Sequence, residues 1–490
     1  MFKVRKTKTS SGKIAVQVVS RFHGFTKIIK HIGSSDSPSE IIALEELASQ
    51  YITTHDPQKH LLTSNTPDPL TENASININN ISFTNVSHNF SYEFFSDFYD
   101  KLGFNSIDNN LLKDLSIIRI IEPASKLRSI QLIEKYFHIS HSINTLYKNL
   151  ASFLTLKDSV TKIACNYAKH NLNFDFSIVF YDVTTLYFES FKYDGLRVPG
   201  FSKDNKHNQP QVLIGLVVNN HGFPISYEVF KGNTFEGNTF IPSILDFKKL
   251  HNIQTLTIVA DAGMLSFSNM LLLENNGLKY IVGARLGNLN LPLIKQISMY
   301  LDKAESLFFK TNTKYGTLIC DYSKKRATKD DSDRKKAIAI ANAQIEHSST
   351  IHRKSKFIKS VSKTKYEIND ELVQKSIMLS GLKGYYTNLE NVSPDEIITR
   401  YKDLWHIEKS FRIAKSDLEA RPVFLRKEEH IRAHVLIVFM ALCITKAIEL
   451  SKNKSIKKVI SEIWEVLDIE FVDNITGKTY KKRMDIKNTY

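Results

Sequence analysis

Between Phe176 and Gly283 the chain carries short apolar runs that fit a sheet buried on both faces. Phe176-Ser-Ile-Val-Phe-Tyr181, Gln211-Val-Leu-Ile-Gly-Leu-Val-Val218 and Leu256-Thr-Ile-Val-Ala260 are β-branched or aromatic and are bounded by polar residues or glycine, as strands covered on both sides are. Tyr280-Ile-Val-Gly283 reads as a further short strand, and Ser266 to Glu274 before it as a helix.

Two of these runs end in an acid: Asp182 follows Ile178-Val-Phe-Tyr181, and Asp261 follows Ile258-Val-Ala260. Carboxylates at the C-terminal ends of neighbouring strands project into the crevice where open α/β sheets bind ligands. Two acids there can share hard cations. Mg2+ takes few carboxylates and completes its shell with water and phosphate oxygens, and two such ions roughly 4 Å apart clamp the attacking and leaving oxygens of an in-line displacement. A single Asp at a strand end is an ordinary cap or turn residue, so this reading needs a third acid. Glu408 supplies it, on a helical stretch where Glu408, Phe411, Arg412 and Lys415 share one face; the competing reading of that face is a set of surface ion pairs.

Charge points to the partner. Lys and Arg number 66 against 51 Asp and Glu, a net charge of +15, which draws a protein towards polyanions and makes nucleic acid the leading partner. The apolar fraction of 42% is that of a folded protein. Cys165, Cys320 and Cys443 stand far apart with no Cys-x-x-Cys pair, which supports neither a disulfide framework nor a zinc finger. His207 and His406 lack the paired spacing of metal ligands. The longest apolar stretch, Val435 to Ile444, is about half of what a bilayer demands, and no signal peptide is read at the N-terminus. No membrane span is expected, and a cytoplasmic location is.

The organisation follows from shifts in pattern. Residues 1–55 form a basic β/α unit: eight basic residues and no acid precede Asp36, Ile14-Ala-Val-Gln-Val-Val19 reads as a strand, and Ser37-Pro-Ser-Glu40 as a helix start. Residues 56–93, rich in Asn, Ser and Thr, read as a linker. Helical spacing of Leu111, Leu112, Leu115, Ile118 and Ile121 marks 94–172 as a helical, DNA-binding region. The sheet runs through 173–285, a mixed segment at 286–388 reads as an insertion, and 389–450 holds a long helix from Asp395 to Ser416 followed by a buried one. Residues 451–490 are left as a C-terminal tail.

The spacing Tyr401-x2-Leu404-x3-Glu408-x6-Lys415 resembles the Tyr-x2-Arg-x3-Glu-x6-Lys signature of bacterial insertion-sequence transposases of the IS-four superfamily. Gly200-Phe-Ser-Lys-Asp204, Gln209-Pro-Gln-Val212, Gly222-Phe-Pro224, Lys231-Gly-Asn-Thr234, Lys324-Lys-Arg-Ala-Thr-Lys-Asp330 and Arg421-Pro-Val-Phe424 resemble the same group, as does Arg119-Ile-Ile-Glu-Pro-Ala-Ser-Lys126 nearer the N-terminus. The resemblance implies an α/β fold: an RNase-H-like mixed sheet flanked by helices, interrupted by an insertion domain that explains the long gap from Asp261 to Glu408. It implies an Asp-Asp-Glu enzyme in which Asp182, Asp261 and Glu408 bind two Mg2+ ions, with Mn2+ as a substitute. The activity is cleavage at transposon ends and strand transfer into target DNA.

The partners so implied are double-stranded DNA, both terminal inverted repeats and target, and a second copy of the chain on that DNA. The place is the bacterial nucleoid. Tyr401, Arg412 and Lys415 are expected to hold phosphates, with Lys203, Lys206, Arg326, Arg334 and Lys335 as further backbone contacts. The departure is Leu404, which stands where the signature has Arg; Arg400 or Lys402 could replace that cation, or the position is apolar in this branch. Some members flip a base onto a Trp of the insertion; Trp405 and Trp464 lie outside it, which leaves Phe308, Phe309 or Tyr315 for such a role. Two other readings share these residues: a transposon-derived DNA-binding protein that no longer cuts, and a metal-dependent nuclease without strand transfer.

Overall fold

Eight basic residues ahead of Asp36 do not prevent a small core, because alternate positions of one strand turn inward. In the computed structural model, which describes residues 2–22, 25–55, 80–189, 192–201, 208–264, 266–303, 308–347, 355–362 and 365–485, β1 (Phe2–Lys8), β2 (Ile14–Phe22) and β3 (Phe25–Ser35) form an antiparallel sheet with β2 central. Val16 and Val18 are fully buried beneath Ala48 of α1 (Pro38–His55). This N-terminal unit, residues 1–80, is one of two into which the chain divides; the other is 81–490.

The larger unit begins with β4 (Ile81–Ser87) and a helical layer: α2 (Asn89–Lys101), α3 (Asn110–Ile121), α4 (Lys126–Phe137), α5 (Ile143–Ser152) and α6 (Lys157–Asn171). Polar residues start three of these helices. Asn109, Ser125 and Ser142 accept the backbone N–H groups of Leu112, Arg128 and Thr145, satisfying donors that a first turn leaves open.

The sheet expected from the apolar runs is present. It contains β5 (Ile178–Tyr187), β6 (Gln211–Val218) and β7 (Pro224–Lys231), then, beyond α7 (Glu236–Leu250), β8 (Thr257–Ala260), α8 (Phe267–Asn275) and β9 (Lys279–Ala284). The order across it is β7-β6-β5-β8-β9, with β5 antiparallel to β6, and β5, β8 and β9 mutually parallel. The fold is therefore RNase-H-like, a mixed sheet with helices on both faces. All of β6 is buried, which is why it reads as a continuous apolar run.

On one face the Tyr181 hydroxyl donates to Thr239 of α7 at 2.9 Å. On the other lies α14 (Glu428–Lys452), in which every residue from Ala433 to Glu449 is buried and whose Phe439 ring stands 4.8 Å from that of Tyr227. This helix is long and apolar enough to cross a membrane, yet 89% of its most apolar stretch is covered by protein. It is a core helix.

The segment 286–388 contains α9 (Leu291–Lys303), β10 (Phe308–Thr313), β11 (Gly316–Tyr322), α10 (Lys324–His347), β12 (Ile358–Ser360), β13 (Tyr366–Ile368), α11 (Asp370–Met378) and β14 (Leu382–Thr387). Its strands continue the catalytic sheet: β14 pairs with β9, β11 with β14, and β10 with β11, giving eight strands. Only α10, α11 and the β12–β13 hairpin gather around a small core of their own, at Ala341, Phe357 and Ile358. Residues beyond 451 form α15 (Ile456–Ile463), β15 (Val466–Asp473) and β16 (Thr479–Asp485), and β15 pairs with β4. Part of the stretch read as a linker and most of the stretch read as a tail thus complete one sheet.

Candidate active site

The register of the sheet sets the first two acids side by side. Tyr181 pairs with Ala260 across parallel strands β5 and β8, so Asp182 and Asp261 come next on adjacent strands. Each is held by its own backbone: Val183 N–H donates to Asp182 Oδ1 at 2.7 Å and Ala262 N–H to Asp261 Oδ1 at 2.6 Å.

The third acid arrives on a broken helix. Ser393 caps α12 (Pro394–Lys402), with Pro394 in its first turn. The single helix expected from Asp395 to Ser416 instead breaks at Asp403–Leu404, resumes as α13 (Trp405–Arg412) and ends in a π-helical turn, Ile413–Asp417. Three ties fix α13. Ile407 is fully buried, Ser410 Oγ donates to the Gly222 carbonyl at 2.7 Å, and Lys409 Nζ lies 3.1 Å from Glu449 of α14. Gly222 has φ +73°, and a Cβ there would meet the His406 carbonyl at 3.0 Å, so glycine serves both the β6–β7 turn and the close approach of α13. With its other face held inward, α13 turns Glu408 to solvent.

Tyr401 is the meeting point. It is 5% exposed; its hydroxyl lies 3.4 Å from Asp261 Oδ1 and its ring 4.8 Å from that of Tyr385. Burial raises the phenol pKa, and Asp261, Glu408 and Asp182 raise it further. All three carboxylates therefore act on one neutral hydroxyl. Gly283, next to Asp261 on β9, leaves room for it: a Cβ there would overlap the Tyr401 oxygen.

The crevice is about 670 Å³, and Asp261, Tyr401 and Glu408 line it together with Arg285, Arg326 and Lys383. Among the described residues no three His, Cys, Asp or Glu side chains stand close enough to share one ion. The sequence reading expected the three acids to converge; instead Asp261 and Glu408 line the crevice with Tyr401, and Asp182 stands beside Asp261 on the neighbouring strand. Two of the carboxylates turn an oxygen onto the next backbone N–H. The donor set still fits Mg2+, which takes one or two carboxylates and leaves its other positions to water and substrate phosphate.

A family model described as the transposase DDE domain matches residues 173–444, more than half of the chain. The chain belongs to the DDE transposase family. As a member it is a DNA transposase, an enzyme of DNA cleavage and strand transfer. No curated protein matches. Among solved structures, a piggyBac transposase synaptic complex with hairpin DNA is similar at 11% identity, covering 77% of this chain and 70% of the other with a TM-score of 0.35. A Mos1 transposase paired-end complex with the left transposon end is similar at 11% identity, covering 50% and 68%, with a TM-score of 0.16.

The transposase keeps other expected residues in different settings. Arg326 reaches the crevice, 3.7 Å from Asp330. Arg334 is tied to Asp331 at 2.5 Å and to the Ser376 carbonyl at 3.3 Å, whereas Lys335 is exposed. Arg412 is exposed on α13, and Lys415 is half-buried in the π-helical turn beside Thr184 and Leu186. Lys203, Lys206 and His207 lie outside the described residues.

Leu404 is buried at 7% exposure, an apolar position and not a substitute cation. Arg400 pairs with Glu396, and Lys402 stands 4.0 Å from Asp321. A cation the sequence reading missed packs against Tyr401: Lys383 of β14, with Nζ 4.6 Å from the Tyr401 ring centroid. Burial lowers its pKa, Arg326 lowers it further, and Asp321, Asp261 and Glu408 raise it. Nothing in the motif marks Lys383, since β14 precedes the signature helix and reads as an ordinary strand. The aromatic expectation is corrected too. Phe309 is core, Phe308 and Tyr315 pack against it, and the ring at the crevice is Trp405, 51% exposed.

Proposed function

We propose that Asp182, Asp261 and Glu408 hold two Mg2+ ions, or Mn2+ in their place, and that the enzyme cuts at its terminal inverted repeats and joins the freed ends to target DNA. What supports this reading is the register that sets Asp182 beside Asp261 on adjacent parallel strands, with Asp261, Tyr401 and Glu408 together on one crevice. Bound divalent ions supply charge neutralisation at the scissile phosphate and a lowered pKa for the attacking oxygen.

The chain's own residues do the rest. Asp182 and Asp261, anchored on adjacent parallel strands, give two ligand positions that the sheet keeps rigid. Glu408 approaches from α13, beyond a break in the helix, where a small rotation changes its distance to the other two. Tyr401, a neutral donor, orients Asp261. Lys383 takes over the phosphate-holding role of the signature cation absent at Leu404, with Arg326 and Arg285 extending the positive wall. Arg412, Lys415, Lys335, Lys203 and Lys206 are further backbone contacts, and a dimer forms on paired ends. Such an enzyme works at its DNA, in the cytoplasm at the nucleoid.

The deciding experiment is nicking and joining of a transposon-end duplex in Mg2+ or Mn2+. Nicked and joined products are expected. Binding without cleavage would mean an inactive DNA-binding descendant, and cleavage without joined product a nuclease. Binding should weaken steeply as salt rises, because phosphate contacts release counterions.

A further inference from the structure

A second concavity, of about 200 Å³, lies where α3 ends, α4 begins and the chain approaches α14; it shares no lining residue with the crevice. Two stretches that catalysis leaves unused meet there, Arg119–Lys126 and Arg421–Phe424. Its floor is basic and buried. Arg119 is 4% exposed and Lys126 5%. Arg119 Nη2 donates to the Ala124 carbonyl at 2.7 Å, while its buried Nε meets no acceptor.

Lys126 Nζ lies 3.1 Å from His434 Nδ1, and His434 Nε2 lies 3.0 Å from the Ala420 carbonyl. The carbonyl requires the ring proton on Nε2, so Nδ1 accepts from the ammonium and the imidazole is neutral. Burial holds His434 well below its ordinary pKa, with Lys126 and Arg119 adding to the effect.

The floor thus presents two cations whose described hydrogen bonds go to a carbonyl and an imidazole, not to a carboxylate. Arg421, over the Tyr187 ring at 5.5 Å, adds a third at the wall, and the one acid on the lining is the exposed Glu419. Burial lowers the pKa of both floor groups, Glu419 opposing the fall for Arg119 and Arg119 deepening it for Lys126, and an anion entering the cavity would favour their charged forms. The α4 N-terminus adds backbone dipoles of the right sign. The rim is different in kind: Phe424 is 68% exposed and Tyr147 44%.

We propose that this cavity binds a nucleotide of a nucleic-acid strand, the phosphate on Arg119 and Lys126 and the adjoining base against Phe424 and Tyr147. This rests on the reading that the protein works on DNA. Rings accept any base face and the phosphate is common to all nucleotides, so binding here tolerates sequence.

The test uses the full chain and three probes: inorganic phosphate, a short single-stranded oligonucleotide with a 5′-phosphate and a 3′ fluorophore, and the same oligonucleotide without the phosphate. Thermal shift and anisotropy are read for the wild type, Lys126→Met and Phe424→Ala. Expected are a rise in melting temperature with inorganic phosphate, tighter binding of the phosphorylated strand, and loss of both in Lys126→Met, which melts no lower than wild type without ligand because the apolar chain removes an unpaired buried charge. Phe424→Ala, at an exposed position, should keep the phosphate response and bind the oligonucleotide about five- to a hundredfold more weakly.

Lys126→Met folding normally with unchanged phosphate response and strand affinity would overturn the proposal, as would a wild type indifferent to the 5′-phosphate. A phosphate response with oligonucleotide affinity unaltered in Phe424→Ala would refute the nucleotide and leave an ion site. Failure of the transposase reading shows separately, as absence of nicking by the wild type.

Discussion

The transposase uses charge in two opposite ways. In the crevice, acids and cations mix and face solvent: Asp261, Glu408 and Arg285 are exposed, while Tyr401 is buried behind them. In the cavity between α3, α4 and α14, Arg119 and Lys126 are nearly covered and the only acid stands at the edge. Open carboxylates keep their hydration until a divalent cation and a phosphate arrive, so the crevice is inexpensive to fold and is completed by its substrate. Buried cations have already given up their water. Their effect on stability is present in the free protein, and they gain most from an anion.

The comparison breaks most severely at the carboxylates. Asp182→Asn, Asp261→Asn or Glu408→Gln should each lower nicking of a transposon-end duplex by roughly 10³-fold or more, since metal-borne stabilisation is worth several kcal/mol. End binding and melting temperature should stay near wild type, because the replacements are isosteric, Asp261 and Glu408 are open to solvent and Asp182 is only half-buried, and backbone contacts carry the affinity. A variant that cuts at the normal rate removes its residue from the site.

A smaller effect on rate, with a larger one on stability, is expected at Gly283. An added Cβ would overlap the Tyr401 hydroxyl, and overpacking of this kind costs about 1–3 kcal/mol. Gly283→Ala should shift the denaturant midpoint downwards and, by displacing α12, slow nicking. Gly283→Ala combined with Tyr401→Phe, which removes the clashing oxygen, should recover much of the stability. No recovery would show that the strain lies elsewhere.

These contrasts also show what could be seen in the sequence. Asp182 and Asp261 were visible because each follows an apolar run, a local pattern, although β5 continues past Asp182 to Tyr187 and only Asp261 stands at a strand end as expected. Glu408 was visible through spacing along a helix. Lys383 was not, because its position depends on β14 pairing with β9, a long-range register that no local period encodes. The break at Leu404 was hidden for a related reason: the apolar period runs through it, and the bend is imposed by the docking of Ser410 on Gly222 and Lys409 on Glu449. The C-terminal segment read as a tail because β15 and β16 carry charged residues on an open sheet, and β4, the partner of β15, lay in a stretch read as linker.

Lys383 sharpens the comparison, since it is the one half-buried cation inside the open crevice. Lys383→Met should slow nicking about tenfold, the loss expected when a single charge-assisted contact to phosphate goes. Leu404→Arg, which restores the signature cation a short way along the same wall, should regain part of that rate in the double variant. If Lys383→Met cuts normally, the phosphate-holding cation is another residue of the wall.

The smallest effect separates the two regions by pH. His434 has a folded-state pKa well below its ordinary 6.5, so between those values the unfolded chain binds a proton that the folded chain refuses. Stability is then complete above about pH 6.5 and falls as the pH drops through that value, by about 1 kcal/mol between pH 7 and 5.5 for one such group. His434→Asn keeps an acceptor towards Lys126 but cannot titrate, so its denaturation midpoint should fall less than that of the wild type over the same range. Some acid sensitivity remains, because His88, His251 and His406 are also lowered by burial. Equal slopes for variant and wild type would mean that the folded Lys126–His434 pair takes up a proton over this range as readily as the unfolded chain does, and the neutral imidazole assigned to the cavity floor would have to be abandoned.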